Sequence, residues 1–324
     1  MAPGPSGLAG VLALPGRIRR SLAWRMRHAL HYIRRGPAAL WRRLARYRPT
    51  PDGVRIKVPG VGWIAMRLHP SGDNFISAAL RLGNLQDPDV LAVLRGFTRP
   101  GDTVLDVGGN IGWFSIIASR LVGPRGTVVA IEPDPLNASL LVDNLSRNGC
   151  SNVILEQVAA GAIAGVARLY HSADNAGDHQ MAVIADRPSW VDVAVHPLDT
   201  LLAGRTQRID VLKMDTQGSE AATLRGMAGL LARHPRLRMV LEFWPHGLER
   251  CGSSATELLD LLEAAPRRYW LMENSGRISP TDIAALRHRA TTDFAPETVM
   301  HADIVAVAAH DAEAIAVMTA LASR

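Results

Sequence analysis

The segment from Asp106 to Gly112 carries a carboxylate two residues before a pair of adjacent glycines, Gly108 and Gly109. Glycines in a turn allow positive φ angles and a close approach of the backbone to a ligand. A carboxylate at this position suits a ligand cation or amine and would repel a pyrophosphate. The spacing also differs from the G-x-G-x-x-G pattern of dinucleotide sites. The pattern favours a cationic ligand without phosphate, although a tight strand-to-helix connection has the same signature.

A second acidic residue, Glu132, follows Gly108 by 24 residues and ends the next apolar run. In sheets that bind nucleosides, an acid at this position accepts hydrogen bonds from the ribose hydroxyls. The alternative is an N-cap carboxylate for a helix that begins near Pro133 and Pro135. Together, Asp106 and Glu132 indicate a ligand that has a ribose and an amine but no phosphate.

Candidate general bases follow two later apolar runs. Asp215 comes after one run, and Glu242 and His246 come at the end of the next. Removal of a proton from an acceptor by such a group contributes about 10² to 10⁴ in rate. For Asp215 the alternative is helix capping, whereas Glu242 lies between apolar residues and needs a buried partner. We expect the base to be one of these three residues, with Asp215 slightly favoured.

The other reactive side chains give weaker signals. His179 lies in an irregular insertion, where a histidine is more often a solvated surface residue than a base. No histidines, cysteines or acidic residues have the spacing of a metal site, so no metal is expected. Cys150 and Cys251 are about a hundred residues apart, which is typical of two reduced thiols in a cytosol.

The elements that position these residues alternate in a βαβα rhythm. This order predicts an α/β fold with a parallel sheet, helices on both of its faces, and ligands at the carboxyl ends of the strands. Two alternating runs around Pro59 and Gly60 predict a preceding β-hairpin. The predicted elements are the hairpin at 53–68; a helix at 86–98; strands at 103–107, 127–131, 153–158, 209–214, 237–243, 268–272 and 302–308; helices at 135–147, 220–232 and 255–264; and an irregular insertion at 161–188.

Five segments, in this order and spacing, resemble the FkbM-type family of class I methyltransferases, which depend on S-adenosylmethionine. The resemblance covers roughly residues 73–308 and implies a Rossmann-like sheet of seven mostly parallel strands. It also implies S-adenosylmethionine as cofactor and methylation of a hydroxyl on a glycan, a glycolipid or a natural product. The segments are 101–112 (GDTVLDVGGNIG), 130–135 (AIEPDP), 143–149 (DNLSRNG), 212–220 (LKMDTQGSE) and 241–245 (LEFWP).

Two residues depart from the pattern of the family. Gly109 stands where alanine is usual, a harmless change, and Gln217 stands where an acid is frequent. Gln217 therefore puts a catalytic carboxylate at that position in doubt. The resemblance implies cofactor contacts by Asp106, Gly108, Gly109, Asn110, Gly112, Glu132 and Asp134.

Four segments are expected from these patterns. They are a basic arm at 1–51, the hairpin with a helical lead-in at 52–98, the S-adenosylmethionine-binding domain at 99–310 and a C-terminal helix at 311–324. The insertion and the C-terminal helix are expected to shape the acceptor pocket. The chain has 324 residues and is 48% hydrophobic and 20% charged, which excludes intrinsic disorder and fibrous repeats.

The net charge of +6 is distributed unevenly. The first 51 positions contain 11 arginines and no acidic residue, which leaves the remainder at −5. Apolar residues at helical spacing among the arginines at 17–48 predict contact with an anionic membrane surface. A helix packed on the hairpin and an organellar presequence are the alternatives. No apolar run approaches the ~20 residues of a membrane span, so we expect a cytoplasmic protein, peripheral at the membrane.

Two other functions compete with methyl transfer. A nicotinamide-dependent oxidoreductase is disfavoured by the glycine spacing and by Asp106. A non-catalytic adaptor that binds RNA or membranes through the arm is disfavoured because both polar edges of the cleft are intact and no RNA-binding signature is present. The expected partner is a small-molecule, glycan or glycolipid acceptor, with no specific nucleic acid, and the oligomeric state stays open.

Overall fold

The structure is a computed structural model that describes residues 47–70, 73, 75–182, 189–205, 208–298 and 300–323. The predictions for the basic arm therefore concern a segment that lies outside the described residues, apart from positions 47–51. Within the described part of the chain, no helix is long and apolar enough to cross a membrane.

The described residues form fourteen strands and eleven α-helices. The strands are β1 (Tyr47–Thr50), β2 (Gly53–Val58), β3 (Gly62–Arg67), β4 (Thr103–Val107), β5 (Thr127–Ile131), β6 (Val153–Glu156), β7 (Ala159–Ala160), β8 (Gly165–Tyr170), β9 (Trp190–His196), β10 (Val211–Met214), β11 (Arg238–Phe243), β12 (Arg267–Glu273), β13 (Ile278–Thr281) and β14 (Ala302–Ala308). The helices are α1 (Ile76–Arg81), α2 (Pro88–Phe97), α3 (Trp113–Val122), α4 (Pro135–Arg147), α5 (Leu198–Leu201), α6 (Glu220–Arg225), α7 (Ala228–Arg233), α8 (Pro245–Arg250), α9 (Ala255–Glu263), α10 (Ile283–Ala290) and α11 (Ala312–Ala322).

The central sheet has eight strands in the order β13-β12-β14-β11-β10-β4-β5-β6. Six strands run in one direction, and β13 and β14 run in the other. The predicted mostly parallel α/β sheet is thus present, but with one strand more than the seven expected. The added strand, β13, is a four-residue edge strand containing Ser279 and Pro280, so its sequence lacks the apolar run that marks the other strands.

Both faces of the central sheet are covered by apolar side chains. Along β4, Val104 belongs to one buried cluster and Leu105 to a second cluster on the other face. Burial on both faces explains why the parallel strands read as continuous apolar runs rather than as alternating ones. It also leaves the ends of the strands as the places where polar residues can lie.

The predicted hairpin is confirmed as β2 and β3, and it packs on α4 through side-chain amides. The Asn144 Oδ1 atom accepts a hydrogen bond from Arg67 N–H (2.6 Å), and Asn148 Oδ1 accepts one from Ala65 N–H (3.0 Å). Asn144 Nδ2 also donates to the carbonyl oxygen of Ile111 (2.8 Å). Strand β1 pairs with β2, so this sheet begins inside the segment assigned from sequence to the arm.

One predicted helix, at 220–232, is two short helices, α6 and α7. A Cβ atom on Gly226, between them, would lie 2.0 Å from the carbonyl oxygen of Gly161, so the backbones touch at this point. The Asp199 carboxylate then accepts hydrogen bonds from the N–H groups of Gly229 (2.7 Å) and Leu230 (2.6 Å). The contact and the new cap explain the break, which helical periodicity alone does not show.

The insertion predicted as irregular is partly a sheet. Strand β9 pairs in parallel with β7 and antiparallel with β8. Leu169 and Val193 form a small apolar cluster on one face, whereas Val166 and Trp190 on the other face are exposed. The segment after β8 turns back towards the carboxyl ends of the central strands.

Candidate active site

A cavity opens at the carboxyl ends of β4, β5 and β10. Val107, Glu132 and Asp215, which end or follow these strands, line it. Open α/β sheets bind ligands at this edge. The insertion contributes to the wall through Leu169 and Ala176, as predicted. The C-terminal helix does not reach the wall, in contrast to the expectation.

The glycine turn brings backbone atoms to the cavity. Gly108 has φ of 82°, and a Cβ atom there would lie 1.9 Å from the carbonyl oxygen of Asp215. The N–H groups of Gly108 and Gly109 both donate to the carbonyl oxygen of Ile131 (2.9 and 3.0 Å). Both the backbone conformation and the space around it therefore require glycine at position 108.

Gly109 and Gly112 shape the turn against helix α4. A Cβ atom on either glycine would lie 3.1 Å from the Leu141 side chain, a tight contact that a flexible side chain can relieve. Gly109 lines the cavity, but Gly112, with φ of 89°, lies outside its wall and begins α3. Gly112, predicted as a cofactor residue, therefore acts through the geometry of the turn.

Glu132 is buried, and backbone donors hold both of its carboxylate oxygens. Oε2 accepts a hydrogen bond from Asn110 N–H (2.7 Å), and Oε1 accepts one from Asp134 N–H (2.9 Å). Burial raises the pKa of Glu132 to about 7, although these two hydrogen bonds act in the opposite direction. Asn110 has φ of 47°, a left-handed conformation that asparagine tolerates. The turn and the carboxylate thus form one unit on the cavity wall.

The N-cap of α4 is Asp134, not Glu132. Asp134 Oδ1 accepts hydrogen bonds from the N–H groups of Leu136 (3.0 Å) and Asn137 (2.9 Å). This geometry removes the capping alternative for Glu132 and leaves its carboxylate available to a ligand. Asp134 itself is buried outside the cavity wall, which differs from its expected role in contacting the cofactor.

Asp106 lies beneath the glycine turn rather than on the cavity wall. Its Oδ2 atom accepts a hydrogen bond from Ser115 Oγ (2.6 Å), and its Oδ1 atom lies 3.4 Å from Lys213 Nζ. Lys213 Nζ also donates to the carbonyl oxygen of Gly108 (2.9 Å). Burial disfavours the charged lysine, but Asp106 and Asp215 together raise the pKa of Lys213 above its usual value. Asp106 thus supports the turn through Lys213, and the predicted contact with a ligand amine is wrong because Asp106 is absent from the cavity wall.

The two predicted catalytic acids are linked by Gln217. Its Nε2 atom donates to Asp215 Oδ1 (2.7 Å) and to Glu242 Oε1 (3.0 Å). Asp215 lines the cavity, whereas Glu242 is buried behind it. Burial and then the neighbouring Asp215 carboxylate raise the pKa of Glu242 well above its usual value. Gln217, which stands where an acid is frequent in the family, is the hydrogen-bond donor that orients both carboxylates.

The helix-capping alternative for Asp215 is also removed. Helix α6 begins after Ser219, and the Glu220 carboxylate holds the preceding loop by accepting hydrogen bonds from Thr216 N–H and Thr216 Oγ1 (both 2.8 Å). The Asp215 side chain takes no part in that cap. Its carboxylate faces the cavity with Gln217 as neighbour.

The histidines are placed differently from expectation. His246, a predicted base, lies on α8 with its ring centroid 5.7 Å from that of Trp244, and it is absent from the cavity wall. His179 does line the cavity, and its Nδ1 atom accepts a hydrogen bond from Ser172 N–H (3.2 Å). His179 also lies near Asp134 and His171, a grouping of metal-ligand type that the sequence spacing does not show.

A model of the methyltransferase FkbM domain matches residues 106–269, slightly more than half of the chain. The chain belongs to the FkbM methyltransferase family. The match begins at Asp106, the acid beneath the glycine turn, and ends within β12, so it contains the cavity-lining ends of β4, β5 and β10. The resemblance stated from the five sequence segments is confirmed.

Curated FkbM relatives match over part of their length. The "31-O-demethyl-FK506 methyltransferase FkbM" of Streptomyces tacrolimicus is 31% identical over 173 residues, covering 44% of this chain and 65% of that protein. "Methyltransferase 1" of Beauveria bassiana is 28% identical over 151 residues, covering 40% of this chain and 59% of that protein. The chain thus spans less than two thirds of each relative.

Solved methyltransferase structures resemble the chain at greater distance. The O-methyltransferase TomG of Streptomyces achromogenes superposes with a TM-score of 0.42 and 13% identity, covering 69% of this chain and 81% of that one. A putative O-methyltransferase of Klebsiella pneumoniae gives 0.43 and 13%, with coverage of 70% and 82%.

The cofactor of this FkbM methyltransferase is S-adenosylmethionine, and the residues at the strand edge fit it. Glu132 presents a carboxylate that could accept the two ribose hydroxyls, while Gly108 leaves room for close backbone approach. Asp215 places a negative charge on the same wall, which suits a sulfonium. These groups follow three adjacent strands, β10, β4 and β5, and line one cavity.

Proposed function

We propose that this methyltransferase transfers the methyl group of S-adenosylmethionine to a hydroxyl of a glycan, a glycolipid or a natural product, with Asp215 as the general base. The observation that carries the proposal is the Asp215 carboxylate on the cavity wall, oriented by Gln217 (2.7 Å) and adjacent to the glycine turn. Of the three predicted bases, Asp215 alone lines the cavity. A relative whose name specifies an O-demethyl substrate supports a hydroxyl acceptor.

In this proposal the cavity residues divide into two groups. Glu132 and the backbone at Gly108 to Asn110 bind the nucleoside end of the cofactor, which, when bound, supplies a methyl group already activated on a sulfonium. Asp215 accepts the hydroxyl proton of the acceptor and aligns its oxygen for in-line displacement. Gln217 fixes the carboxylate, so that no large rearrangement is needed at the moment of transfer.

Glu242 supports Asp215 from behind in the proposed mechanism. Its raised pKa means that it keeps its proton more readily than an exposed glutamate, so it does not compete for the acceptor proton. A second full negative charge next to Asp215 would be costly in a buried site. The pair therefore places the Asp215 carboxylate at the cavity and the Glu242 carboxyl group, whose pKa is raised, behind it.

We assign the acceptor to the apolar part of the cavity wall. Leu169, Ala176 and Met181 of the insertion line it together with Trp113 and Phe114 of α3. Such a wall selects an acceptor that combines hydroxyl groups with apolar surface. Sugars, which expose C–H faces, and hydroxylated natural products both have this character.

The proposal is tested by incubating the purified protein with S-adenosylmethionine and a panel of hydroxylated acceptors. Products are analysed by mass spectrometry and NMR to locate the transferred methyl group. We expect an O-methyl product. Asp215→Asn should lower turnover by about 10² to 10⁴, the usual contribution of a general base, and leave S-adenosylhomocysteine affinity nearly unchanged. Asp293→Asn, on an exposed residue away from the cavity, is the matched control.

Two results would contradict this function. A product methylated only on nitrogen or carbon would exclude a hydroxyl acceptor. If Asp215→Asn forms the O-methylated product at the wild-type rate, Asp215 is not the base.

A further inference from the structure

Three side chains that commonly bind metals converge at the N-terminus of α4, beside the cavity. Asp134, His171 and His179 each present one ligand atom, and these atoms lie within 4.8 Å of one another. The Asp134 Oδ2 and His171 Nε2 atoms are 2.9 Å apart, and the two imidazole rings have centroids 4.7 Å apart. The Asp134 side chain is 4% exposed and that of His171 is 30% exposed, so the carboxylate is removed from solvent.

The contact between Asp134 and His171 is not an ordinary hydrogen bond. His171 Nε2 is buried and makes no hydrogen bond of acceptable geometry to any described residue. A carboxylate oxygen and a ring nitrogen that lie side by side in this way resemble two ligands directed at a common third atom. A protonated imidazole in a simple ion pair with Asp134 is the competing explanation.

Surrounding contacts orient two of these side chains for binding. Asp134 Oδ1 is occupied by the N–H groups at the start of α4, which leaves Oδ2 as the ligand atom. His171 Nδ1 lies 3.1 Å from Ser189 Oγ, so its Nε2 atom is directed towards Asp134. Metal sites usually have such outer contacts, which fix the orientation of each ligand.

The third ligand, His179, needs a small movement. Its Nδ1 atom accepts a hydrogen bond from Ser172 N–H (3.2 Å), and a metal would replace this bond. Bonds of about 2.1 Å in a tetrahedral zinc site put ligand atoms about 3.4 Å apart. The ligand atoms of Asp134 and His171 are already within that separation. The two ligand atoms that lie farthest apart must approach each other by at most about 1.4 Å. Rotation of a loop histidine supplies a movement of this size.

We propose that Asp134, His171 and His179 bind a divalent transition-metal ion, with Zn²⁺ as the representative ion. Two imidazoles and one carboxylate favour zinc, iron, cobalt or nickel over magnesium or calcium, which prefer oxygen ligands. Three protein ligands leave at least one position for water. The assignment does not depend on the acceptor or on O-methylation.

The bound ion links the insertion to the N-terminus of α4. Ala176 already joins the insertion to the cofactor wall, because its carbonyl oxygen accepts hydrogen bonds from Asn110 Nδ2 (2.9 Å) and Asn137 Nδ2 (3.2 Å). The metal adds a link on the same side, between His171 and His179 of the insertion and Asp134 of α4. It therefore stabilises the wall that the insertion contributes to the cavity, rather than taking part in methyl transfer.

The test uses the full chain without a histidine tag, first freed of metal with a chelator that is then removed by dialysis. Zn²⁺ alone and Co²⁺ alone are titrated by calorimetry, and bound metal per chain is measured by elemental mass spectrometry. The visible spectrum of the Co²⁺ form reports ligand type, since thiolate ligation by Cys150 or Cys251 gives a distinct charge-transfer band. Thermal melts of each form are recorded by circular dichroism.

We expect one ion per chain in the wild type, a Co²⁺ spectrum without thiolate character, and a higher Tm with metal. His171→Ala and Asp134→Asn should each weaken binding at least tenfold and abolish the rise in Tm. Asp134→Asn keeps an N-cap side chain, so loss of binding in a folded variant separates ligation from capping. His288→Ala, on an exposed residue of α10, should bind metal as the wild type does.

The proposal is overturned if the wild type binds no ion at molar excess, which would leave a simple Asp134–His171 ion pair. It is equally overturned if His171→Ala and Asp134→Asn, shown to be folded by their melts, bind metal with wild-type affinity. A thiolate-type Co²⁺ spectrum would assign the ion to the cysteines and reject this site.

Discussion

Glu132→Gln is the sharpest perturbation of the cofactor side of the site. Both carboxylate oxygens accept backbone N–H groups, from Asn110 and Asp134. A glutamine amide can offer only one oxygen, so its NH₂ group must face one of these donors. The variant also loses the charge that would accept the ribose hydroxyls. Hydrogen bonds to a charged group contribute about 1.5 to 3 kcal/mol, which corresponds to roughly ten- to hundredfold weaker binding of S-adenosylhomocysteine.

The pKa of about 7 for Glu132 gives a second, independent signature. If the ionised form accepts the ribose hydroxyls, affinity in the wild type rises with pH through 7 and levels off above it. At pH 6 about one molecule in eleven is ionised, so the dissociation constant should be about tenfold larger than at pH 8. Glu132→Gln has no titratable group at this position and should lose that part of the pH dependence.

The assay is calorimetric titration of S-adenosylhomocysteine into each protein between pH 6 and 8.5. Glu263→Gln, on the exposed side of α9, serves as the control and should bind like the wild type. Circular dichroism confirms that each variant is folded. Equal affinity of Glu132→Gln and wild type at pH 8 would refute the ribose assignment. An unchanged pH slope in the variant would show that another group causes the slope.

Three further predictions follow from the same structure. Because the pKa of Glu132 in the folded protein, about 7, lies above its ordinary value of 4.5, its contribution to the free energy of unfolding should fall by at most about 3.5 kcal/mol as pH rises from 4.5 to 7, and then stay constant. Denaturant melts of wild type and Glu132→Gln against pH measure the difference. Gly108→Ala should lower both Tm and cofactor affinity, because its Cβ meets the Asp215 carbonyl oxygen, whereas Gly165→Ala, at a glycine without positive φ and with open space around it, should change the free energy of unfolding by less than about 1 kcal/mol. The full chain should co-sediment with anionic vesicles at low salt, whereas a 47–324 truncation, which keeps β1, should not. Equal co-sedimentation of the two proteins would exclude a membrane role for the arm.

Much of the fold is readable from sequence because its elements are marked locally. Strand β4 begins after Gly101 and Asp102 and ends at the glycine turn, and its bounds match the prediction. Helix α4 begins at a proline and ends before Asn148 and Gly149, and it too matches. Apolar runs buried on both faces, bounded by turn residues, leave little freedom in placing such elements.

The predictions that failed depend on contacts between distant parts of the chain. The break between α6 and α7 is due to Gly226 touching Gly161, 65 positions earlier in the sequence. Asp134 and His171 meet only because the insertion turns back over the start of α4. Sequence spacing carries no signal for either contact, since both depend on how the second sheet docks on the first.

In the candidate site too, the roles that follow from local sequence were predictable, and the roles that depend on distant contacts were not. Glu132 and Gly108 could be identified because their roles follow from position at strand ends. The separation of Asp106 from the cavity could not, because it depends on which side of β4 the carboxylate faces. Burial in this strand directs it to Ser115 and Lys213 instead of the ligand. Gln217 was likewise hidden, because its importance comes from two partners that meet only in the folded sheet.

The charges around the cavity give one more consequence for the cofactor. Asp87, Glu132 and Asp215 are the acidic residues of the cavity wall, and Lys213 is paired with Asp106. A sulfonium is attracted to the Asp215 carboxylate, whereas the product S-adenosylhomocysteine has no charge on sulfur. A partly solvated charge pair contributes on the order of 1 kcal/mol, so Asp215→Asn should weaken S-adenosylmethionine binding about fivefold and leave product binding unchanged. Parallel titrations of both ligands measure this ratio. An equal loss for substrate and product would show that Asp215 acts on the shared part of the two molecules and not on the sulfonium.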